Sequence, residues 1–229
     1  MENGHRKVMK LIGLLVLIVS LAGLAPAKRA QNFTPPDVRA VTDIPYSPTT
    51  IAAGVVTLAV NIAGNGSVVN IQTLRDIPTL TTPATVALQN WKYAPATLNG
   101  EHVASTLVVH IVFDPAFLQV NSIPLGPPES FQPPKSKAAE YSPAQLLTAA
   151  FAPYPNGGRG AGAVVLDVGI SGTGTIGPVA VRRGVPTLNS TAEAAVKNWT
   201  FSAATYGNMS IPSKVVVAMV FRNPKTAQP

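Results

Sequence analysis

The sequence predicts an α+β protein made of two tandem ββαβ modules, each a three-stranded antiparallel sheet with a helix packed on one face. An internal repeat and a recurring change between strand-type and helix-type patterns predict this fold. Trp91 and Trp199 lie 108 positions apart, and so do Phe113 and Phe221. Identical residues recur at the same spacing from Pro45 onwards without a gap, which indicates the duplication of one folding unit.

Two apolar, β-branched runs separated by a glycine pair open each module and predict a β-hairpin. The runs are residues 55–62 (VVTLAVNI) and 68–74 in the first module, and residues 163–170 (AVVLDVGI) and 176–182 in the second. Gly64 and Gly66 separate the first pair, as Gly172 and Gly174 separate the second. Glycine tolerates the positive φ angles of a tight turn. Pro178 lacks a backbone N–H, so its strand is expected at an edge or a bulge.

Alanine-rich segments after the hairpins predict one helix in each module, over residues 83–91 and residues 191–199 (TAEAAVKNW). Trp91 and Trp199 end these segments and are expected to anchor the core. A further short helix is predicted over residues 142–151, because a serine and a proline occupy its first two positions.

The last strand of each module is predicted at Ser105–Phe113 (STLVVHIVF) and at Ser213–Phe221 (SKVVVAMVF). In both segments the two alternating sets of side chains are mostly apolar. A sheet with one face in water would alternate apolar and polar residues. Both faces of these strands are therefore expected to be covered, either because the two modules pack together or because the chain dimerises.

The N-terminal segment has the pattern of an export signal. Positively charged residues precede an apolar run over residues 11–24, and residues 25–27 read Ala-Pro-Ala. This order predicts a secretory signal over residues 1–27. An uncleaved inner-membrane anchor is the alternative. In either case the positive flank predicts that the rest of the chain lies outside the cytoplasm.

Proline-rich stretches set the remaining boundaries. We expect a lead-in linker over residues 28–43, a first module over 44–113, a proline-rich linker over 114–141, a second module over 142–222 and a tail over 223–229.

The composition excludes several kinds of site. The chain has no cysteine, which excludes disulfides and thiolate-bound metals. The formal net charge is +7. The sequence nevertheless lacks a basic stripe with stacking aromatics, which is the pattern that predicts nucleic-acid binding. His102 and His110 have no second histidine or carboxylate cluster near them in the sequence, so no metal site is expected. No G-x-S-x-G motif and no paired acid and base occur, so we expect neither an enzyme nor a cofactor.

Residues 91–100 (WKYAPATLNG) carry the most specific motif of the chain. Together with the Pro45-Tyr46 entry and the glycine hairpin, they resemble the TonB C-terminal domain, which typically reads W-x-F/Y-x-P-A-x-x-N-G at this place. The second module keeps Trp199 and Phe201 of this pattern but has Ala203 in place of the proline.

The resemblance implies a periplasmic domain that receives a short extended peptide by strand addition. In TonB that peptide belongs to an outer-membrane transporter, and a long linker couples the domain to an inner-membrane motor. Residues 28–43 reach at most about 3.5 Å per residue, which is too short to cross a periplasm. Energy transduction of the TonB type is therefore not expected here.

We therefore expect an envelope adaptor that binds an extended segment of an envelope protein or an outer-membrane transporter along its last strands. The candidate edge residues are Ser105, Thr106, Val108, His110, Val112, Ser213, Lys214, Val216, Ala218 and Val220. The alternative is a structural or assembly protein whose modules pair with each other, or in a homodimer, and bury these strands.

Overall fold

The computed structural model describes residues 32–47, 50, 52–114, 123–124, 140–156 and 158–222. The chain divides into two units, Met1–Ala30 and Gln31–Pro229, and the described residues belong to the second. The predicted signal or anchor, the C-terminal tail and most of the proline-rich linker lie outside the described residues. No helix within the described ranges is long and apolar enough to cross a membrane.

The first half of the described chain contains eight strands and one helix. They are β1 (Phe33–Thr34), β2 (Asp37–Ala40), β3 (Gly54–Ile62), β4 (Val68–Arg75), α1 (Pro78–Asn90), β5 (Lys92–Ala94), β6 (Ala96–Leu98), β7 (Glu101–Val103) and β8 (Ser105–Phe113). The predicted hairpin, helix and last strand are all present. The helix begins five residues before the predicted position, because Pro78 suits a first helical turn and Pro83 is tolerated inside the helix.

The second half repeats this order after one additional short strand, β9 (Ile123–Pro124). Its other elements are β10 (Tyr141–Ser142), β11 (Leu146–Ala149), β12 (Gly162–Ile170), β13 (Ile176–Arg183), α2 (Asn189–Val196), β14 (Thr200–Phe201), β15 (Ala204–Tyr206), β16 (Met209–Ile211) and β17 (Ser213–Phe221). The helix predicted over residues 142–151 is wrong. That segment forms β10 and β11, whose backbones pair with β15 and β14.

Four small sheets are present beside the six-stranded main sheet in the described residues. β1 pairs with β6 and β6 with β7, β2 pairs with β5, β10 pairs with β15 and β15 with β16, and β11 lies between β14 and β9.

The main sheet has six strands in the order β13-β12-β17-β8-β3-β4. β17 and β8 run parallel, with Val216 opposite Val109 and Val220 opposite Phe113. The other neighbours are antiparallel. The α+β class is confirmed, but the two halves do not form separate three-stranded sheets. Their last strands join them into one mixed sheet.

The two helices cover opposite faces of this sheet. The buried cluster against α1 includes Val216 and Ala218 of the second half. The cluster against α2 includes Val55 and Val112 of the first half. Burying one valine-sized side chain contributes roughly 1.5–3 kcal/mol. Each half therefore stabilises the core of the other, which explains why both alternating sets in the last strands are apolar.

The two tryptophans make corresponding contacts in the two halves. Trp91 Nε1 donates a hydrogen bond to Thr42 O at 3.2 Å, and Trp199 Nε1 donates one to Ala150 O at 2.9 Å. Both indole rings are buried. The prediction that these residues anchor the core is confirmed.

The hairpin glycines are required by a close backbone approach. Gly66 has φ +84°, and a Cβ atom there would lie 2.8 Å from Tyr93 O. Gly174 has φ +83°, and its Cβ would lie 2.5 Å from Phe201 O. A larger residue at either turn would therefore suffer both a strained backbone and a steric clash.

Alanine at Gly66 or at Gly174 is expected to reduce the free energy of unfolding by about 2–4 kcal/mol, as the sum of backbone strain and steric clash. Gly100→Ala is the matched control, since Gly100 has φ +88° but no atom within 4 Å of the position that a Cβ would take. It should cost only about 1–2 kcal/mol. Urea denaturation compares the three variants. Equal losses in all of them would show that the close approach contributes nothing.

Candidate interaction surface

The ten residues predicted to form the peptide-binding edges lie in the interior of the main sheet. Ser105, Thr106, Val108, His110 and Val112 belong to β8, and Ser213, Lys214, Val216, Ala218 and Val220 belong to β17. β8 lies between β3 and β17, and β17 lies between β12 and β8. Their prediction as edge strands is therefore wrong. Two strands that are apolar on both faces are buried together, and their pairing satisfies backbone groups that an edge would leave for a partner.

His110 on β8 is a buried, neutral residue. Its Nδ1 atom lies 3.2 Å from Thr57 Oγ1, and its Nε2 atom has no hydrogen-bond partner among the described residues. Burial, together with the nearby positive charge of Arg75, lowers the pKa of His110 to about 3. The described part of the chain contains no group of three or more His, Cys, Asp or Glu residues that could hold a metal ion.

A small apolar cavity lies beside His110. It is lined by Thr57, Leu74, Arg75, Val108, His110, Pro143, Gln145 and Leu146. Its volume of about 20 Å³ is enough for one water molecule. The cavity lies between strands of the first half and the segment that leads into the second half.

An ion cluster joins β2 of the first half to strands of the second half. Arg182 Nη2 lies 2.6 Å from Asp167 Oδ2 and 3.1 Å from Asp37 Oδ1. Lys214 Nζ lies 2.6 Å from Asp37 Oδ2. Each member of this cluster has a counterpart 108 positions away in the repeat. In the order Asp37, Asp167, Arg182 and Lys214, the counterparts are Gln145, Ala59, Leu74 and Thr106. The corresponding place in the repeat thus carries uncharged side chains, whereas the ion cluster binds β2 of the first half to β12, β13 and β17 of the second.

The outermost strands of the main sheet, within the described residues, are β4 and β13. β4 carries Val69, whose side chain is 68% exposed. β13 carries Pro178, as expected for an edge. The signal that could have identified β4 is the polar content of VVNIQTLR, in contrast to the mostly apolar last strands.

The far ends of the two parallel strands form a second junction between the halves. Asp114 follows β8, and its N–H donates to Val220 O at 3.2 Å. Burial raises the pKa of the Asp114 carboxyl to about 7. Arg222 follows β17, with its guanidinium 4.3 Å from the centre of the Tyr46 ring and donating to Thr50 O. The entry loop of the first half is thereby bound to the end of the second.

Comparison with known proteins finds a family match for one segment of the chain. Residues 51–115 match the model of the family described as Gram-negative bacterial TonB protein C-terminal. The resemblance to the TonB C-terminal domain is confirmed for this segment, which contains β3 to β8. No curated protein and no solved structure matches the chain.

Proposed function

We propose that this chain, whose residues 51–115 match the TonB C-terminal domain, is a non-catalytic protein-interaction module of the periplasm. It holds an extended segment of an envelope protein or an outer-membrane transporter at an outer strand of the shared sheet. The observation that carries the proposal is the pairing of β8 with β17. This pairing uses the backbone edges of both last strands, so β4 and β13 are the outermost strands of the described sheet.

The physical basis is the hydrogen-bonding capacity of a sheet edge. Alternate residues of an outer strand direct N–H and C=O groups away from the sheet, and an extended peptide can pair with them. Each such hydrogen bond contributes about 0.5–1.5 kcal/mol net. A partner that makes four to six of them binds weakly to moderately, which suits an adaptor that must also release.

Amide hydrogen exchange tests this function on the full-length chain. In the free protein we expect slow exchange along β8 and β17, because each lies between two paired strands. Ten-residue peptides from the periplasm-facing plug of outer-membrane transporters should slow exchange at alternate residues of one outer strand. The matched control is the same peptides with alternate amides N-methylated, which cannot donate. Two results would contradict the proposal. One is an additional slowing of exchange in β8 or β17 when peptide is added. The other is that no peptide slows exchange in either β4 or β13.

A second function is favoured by the same parallel pairing. Because both last strands are used within one chain, the two halves could serve as a rigid structural or assembly unit without a peptide ligand. This function predicts the same slow exchange in β8 and β17 but no peptide-dependent change in β4 or β13. The peptide arm of the experiment therefore separates the two.

A further inference from the structure

We infer that the partner adds to the hairpin end of β4, at residues 68–71, and not to β13, and that it places an uncharged apolar side chain opposite Val69. This inference rests on the proposed function and selects one of the two outer strands. It makes the two halves unequal: the first binds the partner, and the second completes the sheet.

β13 carries the features by which proteins prevent pairing at a sheet edge. Pro178 has no N–H to donate to an added strand. Arg182 and Arg183 place two positive charges at the end of the strand, where they pair with Asp167 and with Asp43 at 3.4 Å. Prolines and charged side chains at an edge discourage strand addition.

The hairpin end of β4 has neither proline nor charge. Residues 68–71 read Val-Val-Asn-Ile. Both outer strands have a β-bulge at the corresponding place, at Val69 in β4 and at Gly177 and Pro178 in β13. Both also end in an arginine, because Arg75 corresponds to Arg183, so the proline is the feature that separates them.

Gln72 and Arg75 already have interactions of their own, so the inference is limited to residues 68–71. The Asn70 side chain there already accepts a hydrogen bond from Asn61 Nδ2 at 2.6 Å, so a partner would pair with the backbone of this segment.

The two edges differ most at Val69. Its side chain is 68% exposed, one of the few large apolar side chains of the described chain that face solvent. At the 108-position spacing, the second half has Gly177 and Pro178 in place of Val69 and Asn70. Glycine offers no side chain for a cross-strand contact, and proline offers no donor. The exposed valine is therefore a feature of the first half alone.

The chemistry of this segment defines the partner. Without a charged side chain at residues 68–71, recognition depends on the main chain and on the contact with Val69. A directly opposed apolar pair in a sheet contributes up to about 1 kcal/mol. The partner is thus an extended segment of another protein with an aliphatic, preferably β-branched, residue at the position that faces Val69.

Val69→Lys and Gly177→Lys, introduced separately into the full-length chain, test the inference. Both positions lie on outer strands and correspond in the repeat. Gly177 does not have a positive φ, and its nearest atom to an added Cβ is at 3.6 Å. The probe is a fluorescently labelled peptide of ten alternating valines and threonines with two glutamines at each end. Its binding to the protein is measured by fluorescence anisotropy. We expect Val69→Lys to weaken binding about fivefold or more and Gly177→Lys to leave it unchanged. Urea denaturation verifies that both variants fold.

The other outcomes overturn the inference in distinguishable ways. Weaker binding with Gly177→Lys alone would place the partner on β13, and the proposed function would stand. No binding of this probe by the unmodified chain would reject the partner chemistry, while the plug-peptide exchange experiment would decide the proposed function separately. Light scattering that shows a dimer, converted to a monomer by Val69→Lys, would identify a second copy of the chain as the occupant.

Discussion

Trp91→Ala is expected to reduce the free energy of unfolding by about 3–5 kcal/mol and to unfold both halves in one transition. Trp91 is 2% exposed, and the buried cluster around it includes Val216 and Ala218 from the other half. Loss of the indole also leaves Thr42 O without its donor. Urea denaturation followed by circular dichroism reports on the whole fold, and the fluorescence of Trp199, the remaining tryptophan, reports on the second half.

Val86→Ala provides the control for this prediction. Val86 lies on the same helix but is 51% exposed, so its removal should change the free energy of unfolding by about 0.5 kcal/mol or less. Two separate transitions in Trp91→Ala, with Trp199 fluorescence unchanged across the first, would show that the halves unfold independently. That result would contradict the stabilisation of each core by the other half.

The second large effect is expected from two buried groups whose contributions to the pH dependence of stability oppose each other. Asp114 has a folded-state pKa of about 7, raised from 3.8 by burial. Between these pH values the folded state binds the proton and the unfolded state does not, so Asp114 makes the protein less stable as the pH rises from about 4 to 7. His110 has a folded-state pKa of about 3, lowered from 6.5 by burial and Arg75. In this window the unfolded state binds the proton, so His110 makes the protein less stable as the pH falls from about 6.5 to 3.

Single variants should reveal each contribution. Relative to the unmodified protein, Asp114→Asn is expected to be more stable at pH 8, by up to about 4 kcal/mol, and equally stable at pH 4. His110→Gln should gain relative stability as the pH falls from 6.5 to 4, by a similar amount. Urea titrations of the three proteins at several pH values between 4 and 8 measure both slopes. Profiles that run parallel in all three would show that neither group changes its pKa on folding.

Much of the secondary structure is predictable because it depends on residues that are close in the sequence. In the turn that contains Gly64 and Gly66, Gly66 has the positive φ that a tight hairpin requires. The apolar alternation of STLVVHIVF predicts a strand covered on both faces, and the structure confirms it. The short strands β1, β2, β5, β6 and β7 are not predictable in this way, since two to four residues carry too little pattern to recognise.

The candidate site shows where sequence reasoning is insufficient. The resemblance to the TonB C-terminal domain implies strand addition, and the last strands, which include Val108 and His110, are predicted as its candidate edges. The same apolar pattern also fits a central strand, and the polar residues of β4 (VVNIQTLR) are the contrast that favours β4 as the outer strand instead. Lys214 is predicted to contact a peptide, but it pairs with Asp37, which lies 177 positions away.

By itself, the sequence determined the repeat, the order of hairpin, helix and last strand within each half, the tryptophan anchors and the need to cover both faces of the last strands. These properties follow from local propensity, turn chemistry and periodicity. Only the tertiary structure decided that β8 and β17 pair with each other in parallel and that β4 and β13 are outermost. Whether a strand is an edge depends on which distant strand satisfies its backbone, and backbone hydrogen-bonding groups are the same in every residue except proline.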